Sequence, residues 1–180
     1  SEEIGNIPTP EWKKKNFPTD PIWRIGNTYH TAIGQYGFQV TPLQMARVAS
    51  AIATGGALVT PTILATPIQQ PARDISPIIS PETFQIVREG MRLAVTEGTA
   101  QALNVSSVAI AAKTGTAELG VTKNYVNSWA IGFFPYETPR YAFAVIMERG
   151  RVGAISGVGG ASIMRELIDW LAVNAPQYLR

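Results

Sequence analysis

Residues Val108 to Arg149 read VAIAAKTGTAELGVTKNYVNSWAIGFFPYETPRYAFAVIMER, and this stretch decides the fold. It predicts three strands. Val108 to Ala112 is small and apolar and runs straight into Lys113-Thr114-Gly115-Thr116. Ser128 to Phe134 is the second strand, ended by Pro135. In the third, Tyr141 to Arg149, the residues Tyr141, Phe143, Val145 and Met147 alternate with Ala142, Ala144, Ile146 and Glu148, as a half-buried strand requires. The turn Tyr136-Glu137-Thr138-Pro139 is too short for a crossover, so the strands pair antiparallel.

Helices flank this block. Thr41-Pro42 is an N-cap followed by proline at the first helical position. Leu43, Ala46, Ala49, Ile52 and Ala53 keep helical spacing up to Gly55-Gly56. An extended piece, Ala57 to Thr60, follows, and residues 61–79 read as a Pro-rich loop. Ser80-Pro81-Glu82 opens a second helix with Phe84, Val87, Met91 and Ala94 or Val95 on one face; Gly98 stops it, and a helical turn runs from about Thr99 to Leu103. The last helix runs from about Ala161 to Val173, with Met164, Leu167, Ile168 and Leu171 as its apolar stripe and Pro176 beyond. Residues 1–40 hold Pro8, Pro10, Pro18, Pro21, Gly5, Gly26, Gly34 and Gly37, and read as an irregular arm. The class is α+β, an antiparallel sheet covered by helices.

Composition excludes much. The 180 residues are 46% hydrophobic and 16% charged, enough for a core and too apolar for disorder. No cysteine is present, which removes disulfides, zinc–thiolate sites and cysteine catalysis. The formal net charge of +2 is too mild for nucleic acid, and the run Lys13-Lys14-Lys15 reads as a solvated face. No apolar stretch reaches membrane-spanning length, and Ser1-Glu2-Glu3 opens no signal peptide. His30 is the only histidine, so neither a metal site nor a Ser-His-Asp triad is expected. Gly157-Val158-Gly159 fails the dinucleotide fingerprint at Ser162, and reads as a turn allowing close packing at the start of the last helix. Asn104-Val105-Ser106 fits a glycosylation pattern that is common by chance, and the four tryptophans are scattered.

The sharpest chemistry is a strand ending in K-T-G-T at a cleft. Lys113 supplies a positive charge that can hold a carboxylate or tune a hydroxyl. Thr114 and Thr116 supply hydroxyl donors, and Gly115 lets a substrate backbone lie close. The Thr116 N–H can face a developing oxyanion, one such donor contributing roughly 2.7–4 kcal/mol in the transition state.

Lys113-Thr114-Gly115-Thr116-Ala117-Glu118 resembles the third signature of penicillin-binding transpeptidases. NSWAIGFFP, from Asn127 to Pro135, resembles the strand that follows it in that family. IGQYGFQVTPLQMARVASAIATGG, from Ile33 to Gly56, resembles the family's G-Q-G…T-P-L-Q-x-A…G-G helix region. The opening SEEIGNIPTPEWKKKNF is similar to the elongation-type class B group, penicillin-binding protein 2, and Gly159-Gly160 before the last helix also fits.

The resemblance implies a β-lactamase/D,D-peptidase-like fold in which residues 1–180 are the C-terminal portion of one transpeptidase domain. The family's S-x-x-K and S-x-N signatures are not met: no serine here has lysine three positions on, and none has asparagine or aspartate two positions on. The fold is therefore expected to be incomplete, without its nucleophile helix and first strands. Lys113, Thr114, Gly115 and Thr116 are the implied substrate-binding residues. Lys113 and the Thr116 N–H have catalytic roles; no nucleophile, metal or cofactor is expected in the chain. Implied partners are peptidoglycan stem peptides and β-lactams, the remainder of the domain, and a glycosyltransferase of the elongation complex. The implied location is the extracytoplasmic face of the bacterial cytoplasmic membrane, with the fragment itself inactive. Tyr141 to Arg149 is expected to expose a bare edge, favouring a dimer or strand exchange. Two rival readings share the motif: a β-lactamase or β-lactam-sensor domain, and a non-catalytic interaction domain.

Overall fold

The computed structural model describes residues 3–64, 72–120, 122–154 and 159–180. It divides into two compact units, residues 1–41 and 42–180.

The first unit is not the irregular arm that its prolines suggested. It holds helices α1 (Pro10–Asn16) and α2 (Ile25–Ala32). Pro10 starts α1 rather than breaking it, because the first helical position needs no N–H. Thr9 caps that helix by accepting from the Trp12 N–H at 3.1 Å. Asn6 and Gln39 exchange backbone hydrogen bonds of 2.8 Å and close the unit. Lys13, expected to be solvated, is 2% exposed. Its ammonium donates to the Ile22 carbonyl at 2.7 Å, Asn27 Oδ1 at 3.1 Å and Asp20 Oδ2 at 3.3 Å, which offsets the cost of burying a charge. The Tyr36 ring lies 5.9 Å from it, and the rings of Trp12, Phe17 and Trp23 pack on Tyr36. Gly37 has a φ of 76°, and a Cβ there would sit 2.5 Å from the Trp12 ring.

The second unit begins with α3 (Pro42–Thr54), which runs to Gly55-Gly56 as the sequence predicts. Strands β1 (Ala57–Leu58) and β2 (Arg73–Asp74) pair antiparallel, so the loop predicted over 61–79 contains a strand; residues 65–71 of that loop lie outside the described residues. Helix α4 (Pro81–Thr96) is capped by Ser80 and buries Phe84, Met91 and Val95, while Val87 stays 39% exposed. A short 3-10 turn follows at Gln101–Leu103.

Strands β3 (Ala111–Leu119), β4 (Tyr125–Phe134) and β5 (Tyr141–Arg151) form an antiparallel sheet in the order β3-β4-β5. Helix α5 (Gly160–Asn174) closes the chain, ahead of a 3-10 turn at Pro176–Leu179. One sheet face packs Ala111 and Phe133 against Ala53 of α3 and Met91 of α4. The other packs Ala112, Ala130 and Phe143 against Met164 and Ile168 of α5 and against Val95, Leu103, Val108 and Ile110. Leu167, predicted in the α5 stripe, is instead 48% exposed.

Two contacts fix α5 on the sheet. Ser128 of β4, buried, accepts from the Gly160 N–H at 3.1 Å. A Cβ on Gly160 would lie 2.8 Å from the Ala130 N and 2.9 Å from the Trp129 carbonyl carbon, so only glycine allows this approach. The close packing predicted for the glycine-rich passage is thus real at Gly160; Gly157 and Val158 lie outside the described residues.

Candidate active-site wall

K-T-G-T lies inside β3, not at its end: the strand continues through Ala117, Glu118 and Leu119. Hydrogen bonding to β4 explains this, since Lys113 stands opposite Ile131 and Thr116 opposite Ser128. β3 is an edge strand, with no strand beyond it among the described residues.

Alternation sends Lys113 and Gly115 to the face that carries α3 and α4, and Thr114 and Thr116 to the other. Lys113 is exposed beside an apolar cavity of about 290 Å³ walled by Ile52, Val87, Gly90, Met91 and Ile131. Its ammonium donates to the Thr114 carbonyl. The Thr114 hydroxyl is hydrogen-bonded to the Thr99 hydroxyl at 2.6 Å. Thr116 is exposed.

Gly115 is informative by contrast. A Cβ there would meet only the Trp129 Cβ, at an ordinary 3.5 Å. Its φ lies outside the left-handed range. Nothing described within the fold requires glycine at this position.

The sheet is tied to the helices by arginines on α4. Arg92 donates to the Ile110 carbonyl at 2.9 Å, just before β3. Arg88 donates to the Ala53 carbonyl at 2.7 Å and the Tyr136 carbonyl at 3.0 Å, tying α3 to the β4–β5 turn. Its guanidinium also lies over the Phe133 and Tyr136 rings. Sequence reasoning missed both arginines and Thr99, because arginines that bind main-chain carbonyls leave no charge pairing to read. No cluster of three or more metal-ligating residues occurs among the described residues. No helix among them is long and apolar enough to cross a membrane.

An antiparallel sheet between helices, with K-T-G-T on its edge strand, is the β-lactamase/D,D-peptidase-like arrangement. The model of the penicillin binding protein transpeptidase domain matches residues 1–169, and the chain belongs to that family. Its relatives and structural neighbours include proteins of the PBP2 kind. The peptidoglycan D,D-transpeptidase MrdA of Acinetobacter baumannii is 30% identical over all of this chain and 29% of its own length. The crystal structure of Pseudomonas aeruginosa PBP2 in complex with WCK 5153 superposes with a TM-score of 0.77 at 30% identity, covering 97% of this chain and 40% of that one. PBP2 in its complex with MreC from Helicobacter pylori gives 0.76 at 33% identity, covering 96% and 32%. The chain thus spans under a third of the curated relative's length.

Proposed function

We propose that this chain is the substrate- and β-lactam-binding wall of a peptidoglycan D,D-transpeptidase whose serine comes from polypeptide outside these residues. The observation that carries the reading is K-T-G-T on an exposed sheet edge with a glycine that the fold itself does not demand. Lys113 favours the carboxylate of a stem peptide or β-lactam electrostatically and reaches toward the S-x-N serine of the completed site. The Thr114 and Thr116 hydroxyls bind that carboxylate, Thr114 by exchanging its bond to Thr99. Backbone groups two residues apart point to the same side of a strand, so the Thr116 N–H faces the side of the Thr114 carbonyl that Lys113 grips. That N–H is one half of the oxyanion hole; the attacking serine's own N–H is the other.

The complete enzyme acylates its serine with the stem peptide, expels the terminal D-alanine and passes the acyl group to an amine on a second strand. Alone, the chain is inactive. Residues 1–180 belong to one transpeptidase domain, and the β5 edge and exposed apolar residues such as Ile86 and Val173 meet the rest of that domain or a second copy. The location is the extracytoplasmic face of the cytoplasmic membrane. A glycosyltransferase of the elongation complex is a further partner, and an MreC-type protein, as in the Helicobacter pylori complex, is another.

The test joins the chain to an S-x-x-K-bearing half and measures the second-order rate of penicillin acylation. Lys113→Ala lowers that rate by roughly tenfold or more, since a hydrogen bond to a charged group is lost, and Lys113→Arg restores part of it. Acylation of Lys113→Ala at the parent rate would remove the proposed role.

A further inference from the structure

On the face that bears Lys113, the far end of the sheet holds a second cavity of about 500 Å³. It is lined by Leu119 and Gly120 of the β3 end, Thr122 of the following turn, Tyr125 and Asn127 of β4, and Glu148 and Arg149 of β5. Leu119 lies three residues past Thr116, about 10 Å along the strand. The volume is in the range of small-molecule sites.

Glu148 and Arg149 are consecutive, and in a regular strand they would point to opposite faces. Both line this cavity because the strand is interrupted here. Ser128 pairs with Met147 and Val126 with Gly150, so Glu148 and Arg149 together oppose the single residue Asn127. This is a β-bulge, a device that re-aims side chains. Arg149 adopts a φ of 55°, unusual for a side-chain-bearing residue, and Asn127 Oδ1 holds it there by accepting from its N–H at 3.0 Å. Among the described residues neither the Glu148 carboxylate nor the Arg149 guanidinium has an ion-pair partner, although other surface charges such as Lys123 and Glu118 do pair. The bulge thus brings opposite charges, unpaired among the described residues, into one cavity.

The geometry points to a subsite for a zwitterionic amino-acid end group, its carboxylate on the Arg149 guanidinium and its ammonium on the Glu148 carboxylate. Tyr125 and Leu119 wall its carbon skeleton. Binding of such a group stands on the cavity alone. That it belongs to the stem peptide lying along β3 rests on the transpeptidase reading.

The test is an NMR titration of the isotope-labelled chain with D-alanine, N-acetyl-D-alanine and D-alaninamide. D-Alanine shifts the Asn127, Glu148 and Arg149 amides saturably, and the two singly charged probes bind at least about tenfold more weakly, each lacking one charged hydrogen bond. Arg149→Gly keeps the backbone conformation while removing the guanidinium, so its binding falls about tenfold with the remaining spectrum unchanged. Glu148→Gln weakens D-alanine but not N-acetyl-D-alanine. Equal affinity for the three probes, parent-like binding by Arg149→Gly, or no saturable shift would each overturn the subsite. The titration does not read Lys113 or acylation, so its failure and the failure of the transpeptidase reading are separately visible.

Discussion

Gly115 of β3 pairs with Trp129 and Gly132 of β4 pairs with Ala112, and the structure predicts opposite responses to alanine at the two glycines. At Gly132 a Cβ would lie 2.3 Å from the Ala111 carbonyl oxygen and 2.7 Å from the Phe143 ring. Both neighbours are buried, so neither can move cheaply. Gly132→Ala therefore forces β3 or Phe143 aside, at a cost of about 1–3 kcal/mol, the range for overpacking a core. At Gly115 the added methyl meets one carbon at 3.5 Å. Removing the freedom of glycine in the unfolded chain then makes Gly115→Ala neutral or stabilising by about 0.4–1 kcal/mol. Urea unfolding of the two variants and the parent, at one pH, reads both numbers. In the complete enzyme, Gly115→Ala also slows acylation by penicillin, because the methyl stands where the ligand backbone approaches. Destabilisation by Gly115→Ala comparable to that of Gly132→Ala would mean that the glycine serves the fold, and the argument for an external ligand at that strand would fail.

Other perturbations follow from single contacts. Arg88→Ala removes two charged hydrogen bonds to the Ala53 and Tyr136 carbonyls and should cost about 2–3 kcal/mol in urea; Arg88→Lys recovers less than half, since an ammonium cannot span both acceptors. Ser128→Ala leaves the buried Gly160 N–H without its acceptor and costs about 1–2 kcal/mol, with faster amide exchange at the start of α5. The Arg24 guanidinium, and after it the Lys13 ammonium, holds the Asp20 carboxyl below the usual aspartate range. A carboxylate with a depressed folded value contributes stability above its unfolded value and loses it as pH falls through the folded one. The first unit should therefore loosen at pH below the ordinary aspartate range, and Asp20→Asn should flatten that dependence. The Trp23 indole resonance, whose N–H donates to Thr28 at 2.9 Å, reports it.

How much of this was legible follows from local physics. Thr41-Pro42, Ser80-Pro81 and the Gly55-Gly56 stop placed α3 and α4 within a residue or so, because caps and breakers act through the backbone nearby. The three strands and their antiparallel order were legible from alternation and short turns. The first unit was misread because Pro10 opens a helix in the same residue type that usually ends one. Lys13 was misread because its acceptors lie up to 14 residues away, which composition does not reveal. β1 and β2, two residues each, are too short to show a period. The extension of β3 past Thr116 depends on pairing with β4, and the bulge at Glu148 and Arg149 on a register shift against Asn127. K-T-G-T itself was legible as a motif; that Thr114 is held by Thr99 was not.

The central claim is that this chain binds the acyl donor while a serine on another segment attacks it. Mass spectrometry tests it most directly, after penicillin treatment of the 180-residue chain by itself and of the chain joined to an S-x-x-K-bearing half. The account predicts no adduct on the chain in either sample, and one adduct on the supplied serine in the second. A penicilloyl adduct mapped to any residue between Ser1 and Arg180 would contradict it.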